Sequence, residues 1–251
     1  MSGFRKKRSF PRRLAGACLR RLRGFIDSCR GTESVFTEIY RNNVWGGEPG
    51  SICSGGGTSD AGLAKAYLEM FRKQAGSHSY ENAAFVDLGC GDMEIGRMLI
   101  PCFRRFTGVD VVKFVIENHR AKYSGGGVEF IHADIVADQL PSGDVCSIRQ
   151  VFQHLSNRQI AAVLPKLANY RDVYITEHVP TGADWTPNKD KPQGAGIRIS
   201  VNSGVDLTAP PFSIDPGRIV TVMEIAGNDH GADGDRGVIR TVLYQPGGAG
   251  E

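Results

Sequence analysis

The sequence lacks any apolar run near the roughly 18 residues that a membrane-spanning helix requires, which argues against an integral membrane protein. Its six cysteines form no C-x-x-C pair and no zinc-type Cys/His spacing, so we expect reduced thiols and no bound metal. The 32 glycines follow no fixed period, which excludes collagen and simple repeats. The remaining composition is that of a globular protein, and 251 residues suffice for one domain of about 200 residues with an extension.

Positive charge is concentrated at the amino terminus. Residues 1–30 contain ten Lys or Arg and one acid, a net charge of +9, whereas the whole chain carries +3 and the remainder therefore −6. Two interpretations of this basic arm stay open: a disordered tail, or an amphipathic helix that lies on an anionic membrane surface. We expect a cytoplasmic protein, in peripheral contact with the inner face of the membrane under the second interpretation. The acidic remainder argues against a nucleic-acid partner.

Short apolar segments alternate with helical patterns from residue 82 onward. This alternation predicts an α/β fold in which a mostly parallel sheet carries helices on both faces. Two late segments, 218–226 and 237–245, predict an antiparallel hairpin at the sheet edge, and the polar loop between them has neither calcium-loop nor zinc-site spacing. The other predicted strands are 83–89, 106–112, 128–135, 144–152 and 172–179, and the predicted helices between them are 94–103, 114–123 and 155–167.

The segment 31–59 differs in composition from the basic arm. It combines a predicted short helix, 37–45, with a Gly/Ser-rich loop, and such a loop brings backbone N–H groups close to a ligand. Tyr40 and Trp45 stand beside this loop, and we expect both to contact a substrate. Asp60 follows the loop and is a typical N-cap for the next helix.

Residues suited to ligand binding follow the first three strands. In a parallel sheet, ligands bind at the carboxyl ends of the strands, near the point where the strand order reverses. Gly89 and Gly91 permit a tight turn against a ligand after the first strand. Asp110 follows the second strand, where a carboxylate can accept hydrogen bonds from both hydroxyls of a ribose. Asp134 follows the third strand, where a carboxylate can accept a hydrogen bond from the amino group of an adenine. Glu94 stands where a dinucleotide-binding loop has its third glycine, and an anion there favours a nucleoside without phosphates over NAD or FAD.

The succession D-L-G-C-G-D, V-D, H-A-D-I and a late hairpin resembles the class I S-adenosylmethionine-dependent methyltransferases over residues 60–245. The resemblance implies a Rossmann-like seven-stranded sheet of order 3-2-1-4-5-7-6 with strand 7 antiparallel. Met93 stands where the usual G-x-G-x-G loop has its third glycine. The resemblance also implies that S-adenosyl-L-methionine is the cofactor and that the residues around it are Asp87, Gly89, Cys90, Gly91, Asp110, Asp134 and Ile135.

A narrower resemblance rests on Y-R-x-N-x-W-G, S-G-G-G-T-S and R-Q-V-x-Q-H-L-S, which are similar to motifs of a bacterial small-molecule and sugar-type subgroup. This resemblance implies that the loop Ser54–Ser59 folds over the cofactor. The subgroup's R-D-x-x-x-H spacing also occurs in phosphoethanolamine methyltransferases, where the histidine takes part in catalysis. It corresponds to His154 here. Gln150 replaces the aspartate, and an amide still hydrogen-bonds to the cofactor at that position.

Methyl transfer to a hydroxyl group benefits from a general base, and an ordinary imidazole titrates near neutrality. His154 is the candidate base, and the alternative is that it only hydrogen-bonds its own helix or a loop. Glu177 and His178 follow the fifth strand and are expected to line the acceptor side. Arg198 is a candidate to hold an anionic acceptor, and the alternative is a solvated side chain.

The favoured function is therefore O-methylation of a small molecule or a saccharide, since no [DN]-P-P-[YF] motif of amino-group methylation follows the fourth strand. The alternatives are a non-catalytic S-adenosylmethionine-binding protein and a nucleic-acid methyltransferase recruited by the basic arm. A dinucleotide oxidoreductase is disfavoured by Glu94. We divide the chain into the arm 1–30, a cofactor-capping segment 31–59, and a methyltransferase domain 60–251 with an acceptor-side insert 180–212.

Overall fold

A computed structural model describes residues 30–56, 60–78, 80–227 and 237–247. Residues 1–29 of the basic arm, with the choice between a disordered tail and an amphipathic helix, lie outside the described residues. The polar tip of the late hairpin, residues 228–236, lies outside them as well. No helix in the described ranges is both long enough and apolar enough to cross a membrane.

Seven strands form one mixed sheet, and each lies within two to three residues of its predicted position. The order is β3-β2-β1-β4-β5-β7-β6, and β7 pairs antiparallel with both of its neighbours, whereas the other pairs are parallel. The predicted fold class is confirmed. The strands are β1 (Ala84–Leu88), β2 (Arg105–Asp110), β3 (Val128–His132), β4 (Val145–Arg149), β5 (Asp172–Val179), β6 (Ile219–Ala226) and β7 (Val238–Tyr244).

Within the described residues, five α-helices surround the sheet, with short 3-10 turns between them. Asp60 caps the second helix as expected, because its Oδ1 accepts a hydrogen bond from the Leu63 amide at 2.8 Å. Two predicted helices are shorter than expected: Pro101 and Pro165 lack an amide proton, and the α-helical turns end before each of them. The helices are α1 (Thr32–Arg41), α2 (Ala61–His78), α3 (Gly96–Leu99), α4 (Lys113–Tyr123) and α5 (Asn157–Val163).

Two hydrophobic clusters lie on the two faces of the sheet. In β1, Phe85 belongs to one cluster and Val86 to the other, as the alternation of side chains along a strand requires. Phe36 of α1 joins the cluster of Val86, and Phe71 of α2 joins the cluster of Phe85. Helices therefore cover both faces, and the carboxyl ends of the parallel strands form an edge where loops meet.

Candidate active site

A cavity of about 610 Å³ lies along the carboxyl ends of the parallel strands. The loops after β1, β2, β3 and β4 line it on one side, and α1, the insert and the hairpin on the other. This is the edge at which the strand order predicts a ligand site. The cavity brings together most of the predicted site residues, namely Tyr40, Trp45, Asp87, Gly89, Cys90, Gly91, Asp110, Asp134, Ile135, Gln150, His154 and His178.

The loop after β1 turns at Gly91 and again at Met93. Gly91 has a left-handed φ of 56°, and a Cβ added there would lie 2.4 Å from the Ser54 Oγ. Met93 occupies the third glycine position and still has a left-handed φ of 63°. Its side chain is buried and packs over Gly96, so these contacts hold a backbone shape that glycine adopts without steric cost. The loop therefore makes a left-handed turn at this position despite the missing glycine.

Asp110 fixes the same loop from the end of β2. Its Oδ2 accepts a hydrogen bond from the Gly91 amide at 3.1 Å, and its Oδ1 accepts one from the Val112 amide at 2.9 Å. Burial raises the pKa of this carboxyl group, and the two hydrogen bonds partly offset the rise. Because a carboxylate has about four acceptor positions, both oxygens can accept a further hydrogen bond from a diol in the cavity. Behind the loop, the His119 Nε2 donates to the Gly91 carbonyl at 2.7 Å, since a carbonyl oxygen only accepts.

Lys166 anchors the loop after β3, a role that sequence reasoning missed. Its ammonium group donates to the carbonyls of Ile135, Val136 and Asp138 at 2.9, 2.8 and 2.7 Å. Asp134 closes a turn in the same loop, because its Oδ1 accepts from the Val136 amide at 2.8 Å. The sequence carried no signal for Lys166, since it acts through backbone carbonyls that every residue possesses.

Ser54 ties the capping segment to the loop after β1. The Ser54 amide donates to the Asp92 Oδ2 at 2.8 Å, and the Asp92 amide donates to the Ser54 Oγ at 2.9 Å. The Tyr40 hydroxyl lies 2.8 Å from the same Oγ. The capping segment therefore lies directly beside Gly91, and the S-G-G-G-T-S motif was the sequence signal for this contact.

Aromatic rings form a wall of the cavity between α1 and β4. The Trp45 ring lies 5.2 Å from the Tyr40 ring and 5.0 Å from the His154 ring, and Phe36 lies 6.0 Å from Trp45. The Trp45 Nε1 donates to the Ala195 carbonyl at 3.3 Å, which joins the capping segment to the insert. Rings at these separations pack favourably, so the wall is held by its own contacts.

His154 lies on this wall at the end of the 3-10 turn Phe152–His154. Its Nδ1 lies 3.2 Å from the Gly194 carbonyl, so Nδ1 carries the proton and Nε2 is a hydrogen-bond acceptor. Burial lowers the pKa of the imidazole to about 3, and the nearby Lys191 ammonium group adds to the effect. The imidazole is therefore neutral at neutral pH and is a weaker base than an ordinary histidine.

Glu177 and Arg198 do not stand where the sequence analysis placed them. The cavity-lining part of the described chain includes His178 but neither of these two. Glu177 precedes His178 in β5, and neighbouring strand side chains point to opposite faces. Its carboxylate accepts hydrogen bonds from the Phe152 and Gln153 amides at 2.9 and 3.0 Å.

The sequence analysis expected Arg198 to bind an anionic acceptor or to be solvated. Arg198 is instead 1% exposed and makes structural contacts. Its guanidinium group donates to the Leu155 carbonyl at 2.7 Å and also to the Lys189 carbonyl. The Leu155 carbonyl directly follows the His154 turn, and the Lys189 carbonyl lies in the insert. Arg198 thus holds the turn and the insert together from behind the cavity wall.

The charged side chains that line the cavity are mostly acidic. Within the described ranges they are one guanidinium group, Arg149, and five carboxyl groups, Asp60, Asp87, Asp92, Asp110 and Asp134. An acidic cavity attracts a nucleoside that carries positive charge and disfavours a ligand with phosphate groups. The residues present therefore fit S-adenosyl-L-methionine, whose sulfur and amino groups are positively charged.

Comparison with known proteins agrees with this fit. Residues 85–170 match the family model of a methyltransferase domain. No curated protein matches the chain.

Solved structures show the same fold at low sequence identity. The N-methyltransferase NodS from Bradyrhizobium japonicum WM9, in complex with S-adenosyl-L-homocysteine, is 14% identical with a TM-score of 0.51, over 75% of this chain and 89% of that one. The 1,6-didemethyltoxoflavin-N1-methyltransferase from Burkholderia thailandensis is 14% identical with a TM-score of 0.52, over 96% and 93% of the two chains. The bifunctional kinase-methyltransferase WbdD is 14% identical with a TM-score of 0.51, over 75% of this chain and 40% of that one. Residues 85–170 therefore resemble a methyltransferase domain, and the chain has the same fold as these methyltransferases.

Proposed function

We propose that this protein transfers a methyl group from S-adenosyl-L-methionine to the hydroxyl group of a small molecule. The observation that carries the proposal is the continuity of one cavity between an acidic side and an aromatic side. When bound, the cofactor supplies an electrophilic methyl group on a positively charged sulfur. Transfer then depends mostly on positioning and on exclusion of water.

The acidic side would hold the cofactor. Asp110 has acceptor positions for the ribose hydroxyls, and Asp134 with Ile135 would flank the adenine. The methionine part would lie over Gly89, Cys90 and Gly91, with Asp87 and Gln150 near its amino group. Burial raises the pKa of the Cys90 thiol, so it stays neutral beside the cofactor.

The aromatic side would hold the acceptor. Tyr40, Trp45 and His178 line the cavity there, and His154 lies beside them with its Nε2 at 3.4 Å from the Gln153 Nε2. Because the pKa of His154 is low and its Nε2 lone pair accepts from the Gln153 amide, we expect His154 to position the acceptor through Gln153 and to be a poor general base.

Calorimetric titration of the whole chain with S-adenosyl-L-homocysteine and with NAD tests the cofactor assignment. We expect the adenosyl compound to bind and NAD to bind at least about tenfold more weakly, because NAD would bring phosphates into an acidic cavity. A preference for NAD would refute the proposal.

Protonation of the Asp87 carboxyl group should make the affinity for the cofactor depend on pH. Burial raises its pKa to about 6, although Arg149 and Ser147 favour its ionised form. Above this pH the carboxylate attracts the cofactor's amino group, and below it the group is neutral. The dissociation constant of S-adenosyl-L-homocysteine should therefore rise as pH falls below about 6, by at most about tenfold per pH unit.

The matched variant is Asp87→Asn, which keeps the size of the side chain and cannot titrate. Calorimetry between pH 5 and pH 8 should show a smaller pH dependence for it than for the wild type, at a weaker affinity throughout. A wild-type profile as flat as that of the variant would show that Asp87 does not contact the charged part of the ligand.

A further inference from the structure

The two sides of the cavity differ in charge. The charged lining residues of the described chain lie within or just after β1, β2 and β3, at the end of β4, or at the start of α2. From the His154 turn, the insert and the hairpin, the described chain contributes only uncharged side chains. They are Gln153, His154, Leu155, Ala195, Ile197, Ile199, Ser200, Ile225, Ala226 and Ile239.

One polar group on this uncharged side has an unmet hydrogen-bonding requirement. Gln153 is 6% exposed and lines the cavity, and its Oε1 has no hydrogen-bond partner within the described residues. A buried acceptor without a donor is unfavourable, because it has lost its hydrogen bonds to water. A ligand that supplies an N–H or O–H group would remove this cost.

The contacts of His154 determine which atom of the Gln153 amide is the unsatisfied one. The His154 Nδ1 donates to the Gly194 carbonyl, so the neutral ring has its lone pair on Nε2. The Gln153 Nε2 lies 3.4 Å from that nitrogen and must be the donor of the pair. The Gly194 carbonyl sets the tautomer of His154, which in turn sets the orientation of the Gln153 amide, and the amide oxygen is the atom without a donor.

We infer, on the basis of the proposed function, that the methyl acceptor is an uncharged, mostly apolar aromatic molecule whose hydroxyl or N–H group donates to Gln153. The Trp45 and Phe36 rings would pack against its apolar body. Gln153 is then a specificity-determining residue, and His154 is a positioning residue, since its ring orients the Gln153 amide.

The same lining disfavours other acceptor classes. A saccharide would bury many hydroxyl groups, and each one without a partner would weaken its binding. A phosphate or carboxylate would lose its hydration opposite side chains that bring no compensating charge. Arg198, the predicted anion-binding residue, already donates to two carbonyls behind the wall.

The test begins with the whole chain saturated with S-adenosyl-L-homocysteine, whose own titration decides the proposed function separately. Four probes are then titrated by calorimetry: naphthol, its methyl ether, naphthoate and methyl glucoside. We expect naphthol to bind at least about tenfold more tightly than each of the others. Failure of naphthol to bind, or tighter binding of naphthoate or methyl glucoside, would overturn the inference while the cofactor site stands.

The Gln153→Leu variant isolates the amide. It should bring naphthol and its methyl ether to within about twofold of each other and leave the affinity for S-adenosyl-L-homocysteine unchanged. Gln139→Leu, at an exposed glutamine outside the cavity, is the control that should retain the tenfold difference. If the difference survives in Gln153→Leu, the oxygen of Gln153 is not the acceptor. Should Gln153→Leu not fold, the four probes on the wild-type protein still decide the acceptor class.

Discussion

Gly91→Ala is expected to weaken the binding of S-adenosyl-L-homocysteine at least about a hundredfold without unfolding the protein. A Cβ at this position would lie 2.4 Å from the Ser54 Oγ and 3.4 Å from the Tyr40 hydroxyl, and the backbone φ of 56° is strained for alanine. The loop after β1 must therefore move away from the capping segment. The Gly91 amide donates to Asp110, so this movement also displaces the proposed ribose site. Calorimetry gives the affinity, and circular dichroism checks the fold.

Two further variants separate the steric effect from a general loss of stability. Gly76→Ala changes a glycine in α2 that has nothing within 4 Å of an added Cβ, and it should bind as the wild type does. Adding Ser54→Ala to Gly91→Ala removes the oxygen at 2.4 Å and should recover part of the affinity. Equal affinity of Gly91→Ala and wild type would show that the loop does not need its present path.

The second large effect concerns the protonation of His154. We expect its imidazole to remain neutral down to about pH 4 in the folded protein, because burial beside Lys191 lowers its pKa to about 3. Nuclear magnetic resonance of the histidine ring protons measures this directly, and His154→Gln identifies the signal. A normal titration near pH 6.5 would contradict the tautomer and the hydrogen bond to Gly194.

The lowered pKa of His154 should also make the free energy of unfolding depend on pH. The unfolded chain takes up the proton near pH 6.5 and the folded protein does not, so the free energy of unfolding should fall as pH drops from about 6.5 toward 3. The contribution of this residue is at most about 1.4 kcal/mol per pH unit. His154→Gln should remove that part of the slope in denaturant titrations. An unchanged slope would contradict a buried, neutral imidazole.

The sheet could be predicted because its signals are local. Each parallel strand is a short apolar run between turn residues, and β1 to β5 appear at nearly the predicted positions. The ends of the helices were less certain, since Pro101 and Pro165 stop α-helical turns that periodicity alone would extend. Conversely, α1 begins at Thr32, before the expected start at residue 37, because its apolar side packs into the core beside β4.

Those residues of the candidate site could be predicted whose location depends only on the backbone and on their position after a strand. Gly91, Asp110 and Asp134 follow from their places after three strands, and all three line the cavity. The roles of Glu177 and Arg198 were not predictable, because they depend on which carbonyls and amides the folded insert brings near them. Gln153 was missed for the same reason: its unpaired oxygen results from a tautomer that a distant carbonyl sets.

The central claim is that the cavity binds the adenosyl cofactor through Asp110. Its most direct test is calorimetric titration of S-adenosyl-L-homocysteine into the wild type, Asp110→Asn and the control Asp215→Asn, whose exposed carboxylate lies just before β6, away from the cavity. We expect wild type and Asp215→Asn to bind equally and Asp110→Asn to bind about tenfold to a hundredfold more weakly, since it loses a charged acceptor for the ribose. Equal binding by all three proteins would place the cofactor elsewhere and contradict the account.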